Sequence, residues 1–184
     1  MNNFNELAKF RRSTRKYASE QLDSEEVDLL MKAALMSPTS KNSQPWEFIL
    51  VDDKDTLARL ALCKPQGATF IEQSALSIVV GCDVEKSGAW IEDAAIASIM
   101  LQLQAEDMGL GSCWTQIRGR FTAAGEPSEK YIRELLNIPS NIHILSVIAI
   151  GRKAESKKPF DESNLLWERL HWNGWRASIS DCLT

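Results

Sequence analysis

The sequence predicts one domain of mixed α and β layers across residues 1–184. Three observations carry that expectation. Nearly unbroken apolar runs of strand length occupy 46–51, 75–82 and 142–150. A long segment, 88–108, places Ala, Ile, Leu and Met around most of a helical circumference, as a central or interfacial helix does. No βαβ repeat and no GxGxxG accompany these runs, and Gly81 follows a strand without a glycine fingerprint, which disfavours a Rossmann dinucleotide site.

Taken in order, the first strong element is a helix over 24–36. Asp23 is its expected N-cap, Glu26 closes a capping box, and Leu22 can staple onto Val27. Val27, Leu30, Met31, Ala34 and Leu35 share one helical face, and Pro38 stops the helix. The 46–51 strand (WEFILV) has almost no polar interruption, so cover on both faces is expected. Asp53 opens a short helix through Leu57, Leu60 and Ala61 that ends before Pro65. The 75–82 strand leads to the long helix, which Gly109 caps. A short strand at 112–116, a helix at 128–137 and the strand at 142–150 follow. His143 falls in that last strand, where a satisfied, half-buried histidine is expected rather than a catalytic one. Periodicity fades after Gly151, yet Trp167, Trp172 and Trp175 argue that the tail packs on its own body or around a partner subunit.

Composition narrows the function classes. An apolar share of 44% with only 9 Gly and 6 Pro describes a globular chain rather than a disordered one. A net charge of −4 leaves no electrostatic footprint for nucleic acid or an anionic membrane. No stretch approaches the roughly 20 apolar residues of a bilayer span. The start, Met1 to Glu6, lacks the basic and apolar regions of a secretory signal, so a cytoplasmic location is the expectation. Cys63, Cys82, Cys113 and Cys182 are widely spaced without a CxxC pair. They are expected to be small core side chains in a reducing compartment, with neither a metal site nor a disulfide framework.

Four segments carry chemistry. In Phe10-Arg11-Arg12-Ser13-Thr14-Arg15-Lys16-Tyr17, an extended backbone sends Arg11, Ser13 and Arg15 to one side, where forks and a hydroxyl suit a phosphate; a solvated basic loop is the alternative. The run from Ser37 to Trp46 is dense in hydroxyls and amides and stiffened by two prolines. It can present polar groups to a heterocycle, or it is a polar turn. Gly109-Leu110-Gly111-Ser112 ends the long helix and can also let backbone amides approach a ligand. Gly151-Arg152-Lys153 with Lys157-Lys158-Pro159 either completes an anion site or forms a solvated tail.

Together, in this order and spacing, the segments resemble the FMN-dependent nitroreductase family over about residues 8–175. The match is carried by Arg11 to Tyr17, by Ser37 to Trp46 with Glu47-Phe48-Ile49-Leu50-Val51, by Asp93-Ala94-Ala95 with Gly109 to Ser112, and by the close His171-Trp172-Asn173-Gly174-Trp175. The resemblance implies an α+β fold: a three-layer α-β-α sandwich around a mainly antiparallel sheet, in an intertwined homodimer. The tail from about 151 to 184 would pack on that dimer, and FMN would bind at the interface.

The resemblance also implies roles. Arg11 and Ser13 would hold the FMN phosphate, helped by Lys157 or Lys158, with Arg12 also among the cofactor-binding residues and Arg15 near the N1/O2 edge of the ring. Hydride addition at N5 builds negative charge on that edge, which a fixed cation stabilises. Pro38, Thr39, Ser40, Asn42 and Gln44 would reach the ring or ribityl chain from the partner subunit. Backbone near Thr115 and Gln116 would face N5 and O4. NAD(P)H would reduce the flavin in a ping-pong cycle, and a small-molecule acceptor such as a nitroaromatic or quinone would reoxidise it, with no protein nucleophile. Two other readings share these residues: the same fold with dehydrogenation or dehalogenation chemistry, and a non-catalytic FMN-binding or redox-sensing protein. Relatives often carry an Ile-Gly-Gly-like run where this chain reads Thr115-Gln116-Ile117-Arg118-Gly119-Arg120. Arg118 and Arg120 are therefore either anion-binding or solvent-exposed loop residues.

Overall fold

The computed structural model describes residues 3–175, which form nine regular helices and strands joined by short 3₁₀ turns. They are α1 (Phe4–Phe10), α2 (Ser24–Leu35), β1 (Trp46–Val51), α3 (Lys54–Leu60), β2 (Leu76–Asp83), α4 (Trp90–Asp107), β3 (Gly111–Gln116), α5 (Ser128–Leu136) and β4 (Ile142–Gly151). Cys182 and the last part of the tail lie outside the described residues.

Local chemistry sets the boundaries. At α2 the Asp23 carboxylate accepts from Glu26 N (2.8 Å) and the Glu26 carboxylate from Asp23 N (3.0 Å), the reciprocal bonds of a capping box. Leu22 and Val27 pack against the same apolar layer. Asp53 caps α3 through Thr56 N (2.8 Å). α4 stops where Gly109 takes φ +73° and Leu110 N returns to Ala105 O (2.8 Å), a left-handed exit that glycine makes without a Cβ penalty.

The sheet runs β1-β2-β4-β3, every pair antiparallel, with a register shift between Val80 and Gly81. Alternating side chains feed two apolar layers. Val79, Val147, Ala149, Cys113 and Ile117 face Leu57 and Leu60 of α3, Phe70 and Ile71 of a 3₁₀ turn, and Ile132 of α5. Ile78, Val80, Ile148 and Ile150 face Leu30 and Ala34 of α2 and Ala94, Leu101 and Ala105 of α4. The result is the α-β-α sandwich around an antiparallel sheet that the sequence resemblance implies.

One expectation fails. WEFILV is an outer strand, and both its faces are not covered in the chain: Leu50 is 41% exposed and only Val51 is buried. An apolar run cannot by itself distinguish a central strand from an edge awaiting cover. No helix among the described residues is long and apolar enough to cross a membrane.

Candidate functional site

After α1 the chain runs extended beside the start of β3 and the end of β4. Ser13 bridges Ser112, Thr14 N donates to Ser112 O (2.9 Å), Ala18 N donates to Arg152 O (3.0 Å), and Ala154 N donates to Lys16 O (3.0 Å). Gly111 permits this approach, because a Cβ there would lie 2.6 Å from Thr14 Cγ2. Tyr17, buried, donates toward the Thr14 and Ala149 carbonyls (2.7 and 3.2 Å) and locks the far end.

Alternation along this segment separates its cations. Arg15, Ser13, Lys157 and Arg11 all act on the Cys113 thiol: burial pushes it up, while Arg15, the Ser13 hydroxyl, Lys157 and Arg11 pull it back. Burial dominates at Cys63, raised to about 11, and, with Asp93, Glu47 and Asp83 adding to it, at Cys82, raised to about 12. Arg15 N donates to the Glu155 carboxylate (2.7 Å), and the Arg15 guanidinium lies 6.0 Å from the Phe70 ring centroid. That backbone donor, with Lys157 assisting at 3.4 Å, holds the Glu155 carboxyl below the usual glutamate range. Arg12 turns elsewhere. It donates to Lys158 O (2.8 Å) and lines a cavity of about 310 Å3 with Phe10, Glu106 and Lys153, whose wall Glu155 and Lys157 share.

The Arg152-Lys153 pair is neither an open anion site nor a solvated tail. Arg152 forks onto Glu26 (2.6 and 3.0 Å) and reaches Glu20 (3.2 Å), and Lys153 meets Glu106 (2.8 Å). Those cations tie β4 to α2 and α4.

Backbone parity defines the outer edge of β3. Because Ser112 O accepts from Thr14 N, the polar groups of Ser112 face outward, and the alternation of an antiparallel ladder puts Trp114 and Gln116 outward too. Cys113 and Thr115 face β4, and Ile117 N, donating to Leu145 O (3.0 Å), keeps the same parity. Of the two amides singled out in sequence, only that of Gln116 therefore reaches the open edge. The Gln116 side chain is held between Trp114 Nε1 (3.0 Å) and Arg118 O (3.3 Å). The Thr115 hydroxyl is buried and has no hydrogen-bond partner among the described residues. From Ser112 to Gln116 the edge extends about 13 Å at about 3.3 Å per residue.

The polar loop after α2 lies on the opposite edge. Lys41, Asn42 and Gln44 all take left-handed φ (54°, 54° and 46°), which is costly for non-glycine residues. The fold fixes them: buried Asp93 accepts from Ser40 N (2.8 Å) and the Ser87 hydroxyl (2.7 Å), and Thr39 Oγ1 accepts from Gln44 N (3.0 Å). Pro38, Ser40, Asn42 and Gln44 stay exposed, with Thr39 half-buried. β1 and β3 are separated by three inter-strand steps, about 14 Å. One chain does not bring this loop to the Arg11 cluster.

Two acidic residues organise these regions in roles that the sequence did not assign: Asp93, known there only as part of the family resemblance, and Glu155. Asp93 carried its own signal, a carboxylate in the first turn of an otherwise apolar helix. Glu155 was hidden among the lysines of the tail, where no local pattern marks a partner in residues 11–18.

Fold and edge define the class: an α-β-α sandwich with a cation cluster along one outer strand and a strained polar loop on the other. The family model for nitroreductases matches residues 8–100 and again 69–152, and the chain belongs to the nitroreductase family. An FMN-dependent nitroreductase of Clostridium difficile superposes with a TM-score of 0.90 at 43% identity, covering 92% of this chain and 98% of that one. A protein of Archaeoglobus fulgidus, provisionally named NADH dehydrogenase/NAD(P)H nitroreductase, is 32% identical over 90% of this chain and 94% of its own length. A Methanothermobacter thermautotrophicus protein of the same provisional name is 33% identical over 92% of this chain and 86% of its own.

Proposed function

We propose that the protein is a cytoplasmic, homodimeric, FMN-dependent oxidoreductase that takes electrons from NAD(P)H and delivers them to nitroaromatic, quinone or similar acceptors. The observation that carries this reading is the outer edge of β3, with Arg11, Ser13, Arg15 and Lys157 gathered at one end and the free Gln116 amide at the other. That donor set fits an elongated ligand with a phosphate at one end and a hydrogen-bonding heterocycle at the other. The names of the relatives supply the same cofactor and donor.

Arg11 and Ser13, with Lys157, would hold the phosphate through charge-assisted bonds. Lys158 follows at the rim, and Arg12, bonded to its carbonyl, braces the segment. Arg15, its backbone fixed by Glu155, offers a cation to the N1/O2 edge, where negative charge gathers. Gln116 N–H would serve the N5/O4 side, and Thr115, paired with Val147, anchors that stretch to β4. Pro38, Thr39, Ser40, Asn42 and Gln44 of the second copy close the site, since the same loop of one chain lies on the wrong edge. When bound, FMN supplies ping-pong transfer of reducing equivalents from NAD(P)H to the acceptor.

A dimer also accounts for the apolar surface. Trp167, Trp172 and Trp175 are 60%, 64% and 91% exposed, and Leu165, Leu166 and Leu170 join them. Patches of this size are what subunit contacts bury. The chain is one domain, 1–184, whose tail from about 151 packs across that dimer. Buried free thiols at Cys63, Cys82 and Cys113 suit the reducing cytoplasm.

The test is an absorbance spectrum of the purified protein, followed by anaerobic NADH or NADPH. Flavin bands that bleach are expected. A protein that neither carries nor takes up FMN contradicts the proposal.

A further inference from the structure

We propose that Arg118, seated on Trp90, anchors a carboxylate or phosphate group on the small molecule that exchanges electrons at the β3 edge; this rests on the functional reading above. Arg118 follows Gln116 by two residues, just past the end of that edge. Its backbone is fixed: Arg118 N donates to Leu145 O (3.2 Å), and Arg118 O accepts from Gln116 Nε2 (3.3 Å). The turn closes through Arg120 N to Ile117 O (3.0 Å), with Gly119 at φ +69°.

The side chain is placed as well. Its guanidinium lies 5.8 Å from the Trp90 ring centroid, within cation–π range. Trp90 opens α4, packs partly buried against the α2–α4 layer, and has His143 on its ring at 5.6 Å. The Glu129 carboxylate in that neighbourhood is taken by Arg133 (2.8 Å) and His143 (3.2 Å). Arg118 makes no ion pair among the described residues, and neither does Arg120 on the same turn. Where this fold uses cations as structure, at Arg152 and Lys153, it supplies each with a carboxylate.

A guanidinium lying on an aromatic ring keeps its N–H fork free for a planar carboxylate or a phosphate, and its ordering cost is already met. Two sources offer that chemistry: the pyrophosphate of the nicotinamide donor and an acidic group on the acceptor.

Matched substrates separate them. The holoenzyme and Arg118→Gln are compared on para-nitrobenzoate against para-nitrobenzyl alcohol, and on NADH against the phosphate-free donor N-benzyl dihydronicotinamide. The proposal expects KM to rise about 10- to 100-fold for the charged member of one pair. The neutral member keeps its KM and kcat, and Arg118→Lys recovers part of the loss. A rise confined to para-nitrobenzoate assigns the acceptor, and one confined to NADH assigns the donor. Equal changes, or none, within both pairs overturn the proposal. Calorimetric titration with benzoate and inorganic pyrophosphate reads Arg118 without turnover. Binding lost in Arg118→Gln upholds the anion site even where no substrate is reduced and the flavin reading has failed. Binding that is equal in both proteins, or absent from the wild type, overturns it.

Discussion

The two outer strands of the sheet are finished in opposite ways. Along β3 the neighbouring segment is relaxed, extended and sewn down by main-chain bonds, and its side chains bring charge: Arg11, Arg15 and Lys157 around Cys113. Beside β1 the neighbouring loop is strained, with three left-handed non-glycine residues, and apart from Lys41 its side chains bring neutral hydrogen-bonding groups. Charge is easily placed on extended backbone, whereas presenting several short polar side chains at once takes an unusual backbone and a buried carboxylate to hold it. Each edge offers half of what a phosphate-bearing heterocycle needs. Their separation across the sheet is the reason a second copy belongs in the account.

The sharpest way to break this comparison is to remove charge from the β3 edge. Arg11→Ala deletes a charge-assisted contact, for which about 1.5–3 kcal/mol is usual, so FMN affinity should fall about 10- to 100-fold in a fluorescence titration. Arg15→Ala should keep much of its flavin yet bleach more slowly with NAD(P)H in stopped flow. Complete loss of flavin would move Arg15 to the phosphate, and no change in either would remove it from the site.

Much of this was legible in sequence, for reasons that differ by residue. Asp23, Glu26 and Gly109 act within a turn of their own position, so the helix ends they set were readable directly. The placing of Arg11, Ser13 and Arg15 on one side follows from the period of two in extended backbone, whereas the bond of Arg12 to Lys158 O was not readable there. Partners across the fold left no local trace. Nothing near Arg152 announces Glu26, and nothing near Arg15 announces Glu155. The edge position of WEFILV was likewise hidden, because it depends on which strand pairs with which.

Backbone changes should act next most strongly, and differently on each edge. Gly111→Ala drives a methyl into Thr14 and forces the cationic segment off β3; overpacking of this kind costs about 1–3 kcal/mol, read as a lower urea midpoint with weakened flavin uptake. Asp93→Ala leaves Ser40 N without its acceptor, a loss of about 1–3 kcal/mol, and should loosen the β1 loop while the β3 edge keeps its protease resistance. Equal loosening of both edges would dissolve the distinction between them.

The smallest expected effect is in pH. Glu155 has a lowered carboxyl pKa in the folded protein, chiefly through Arg15 N–H. Its contribution is therefore present above the ordinary glutamate value of about 4.3 and is lost as pH falls through the lower folded value. Glu155's share of the stability should therefore stay level from neutral pH down to that range, read as the urea midpoint of the flavin-free protein, and Glu155→Gln should remove the part of the acid-side loss that this group causes.

The most direct measurement is subunit complementation. Arg11→Glu damages the β3 edge and Asn42→Trp blocks the β1 loop, so neither homodimer should hold flavin. A mixed dimer, isolated through two different affinity tags, contains one doubly damaged site and one site built from two intact halves. The account predicts that this mixed dimer binds FMN and bleaches with NAD(P)H at the wild-type rate. A mixed dimer as empty as both parents, or an isolated single chain that binds FMN unaided, would contradict it.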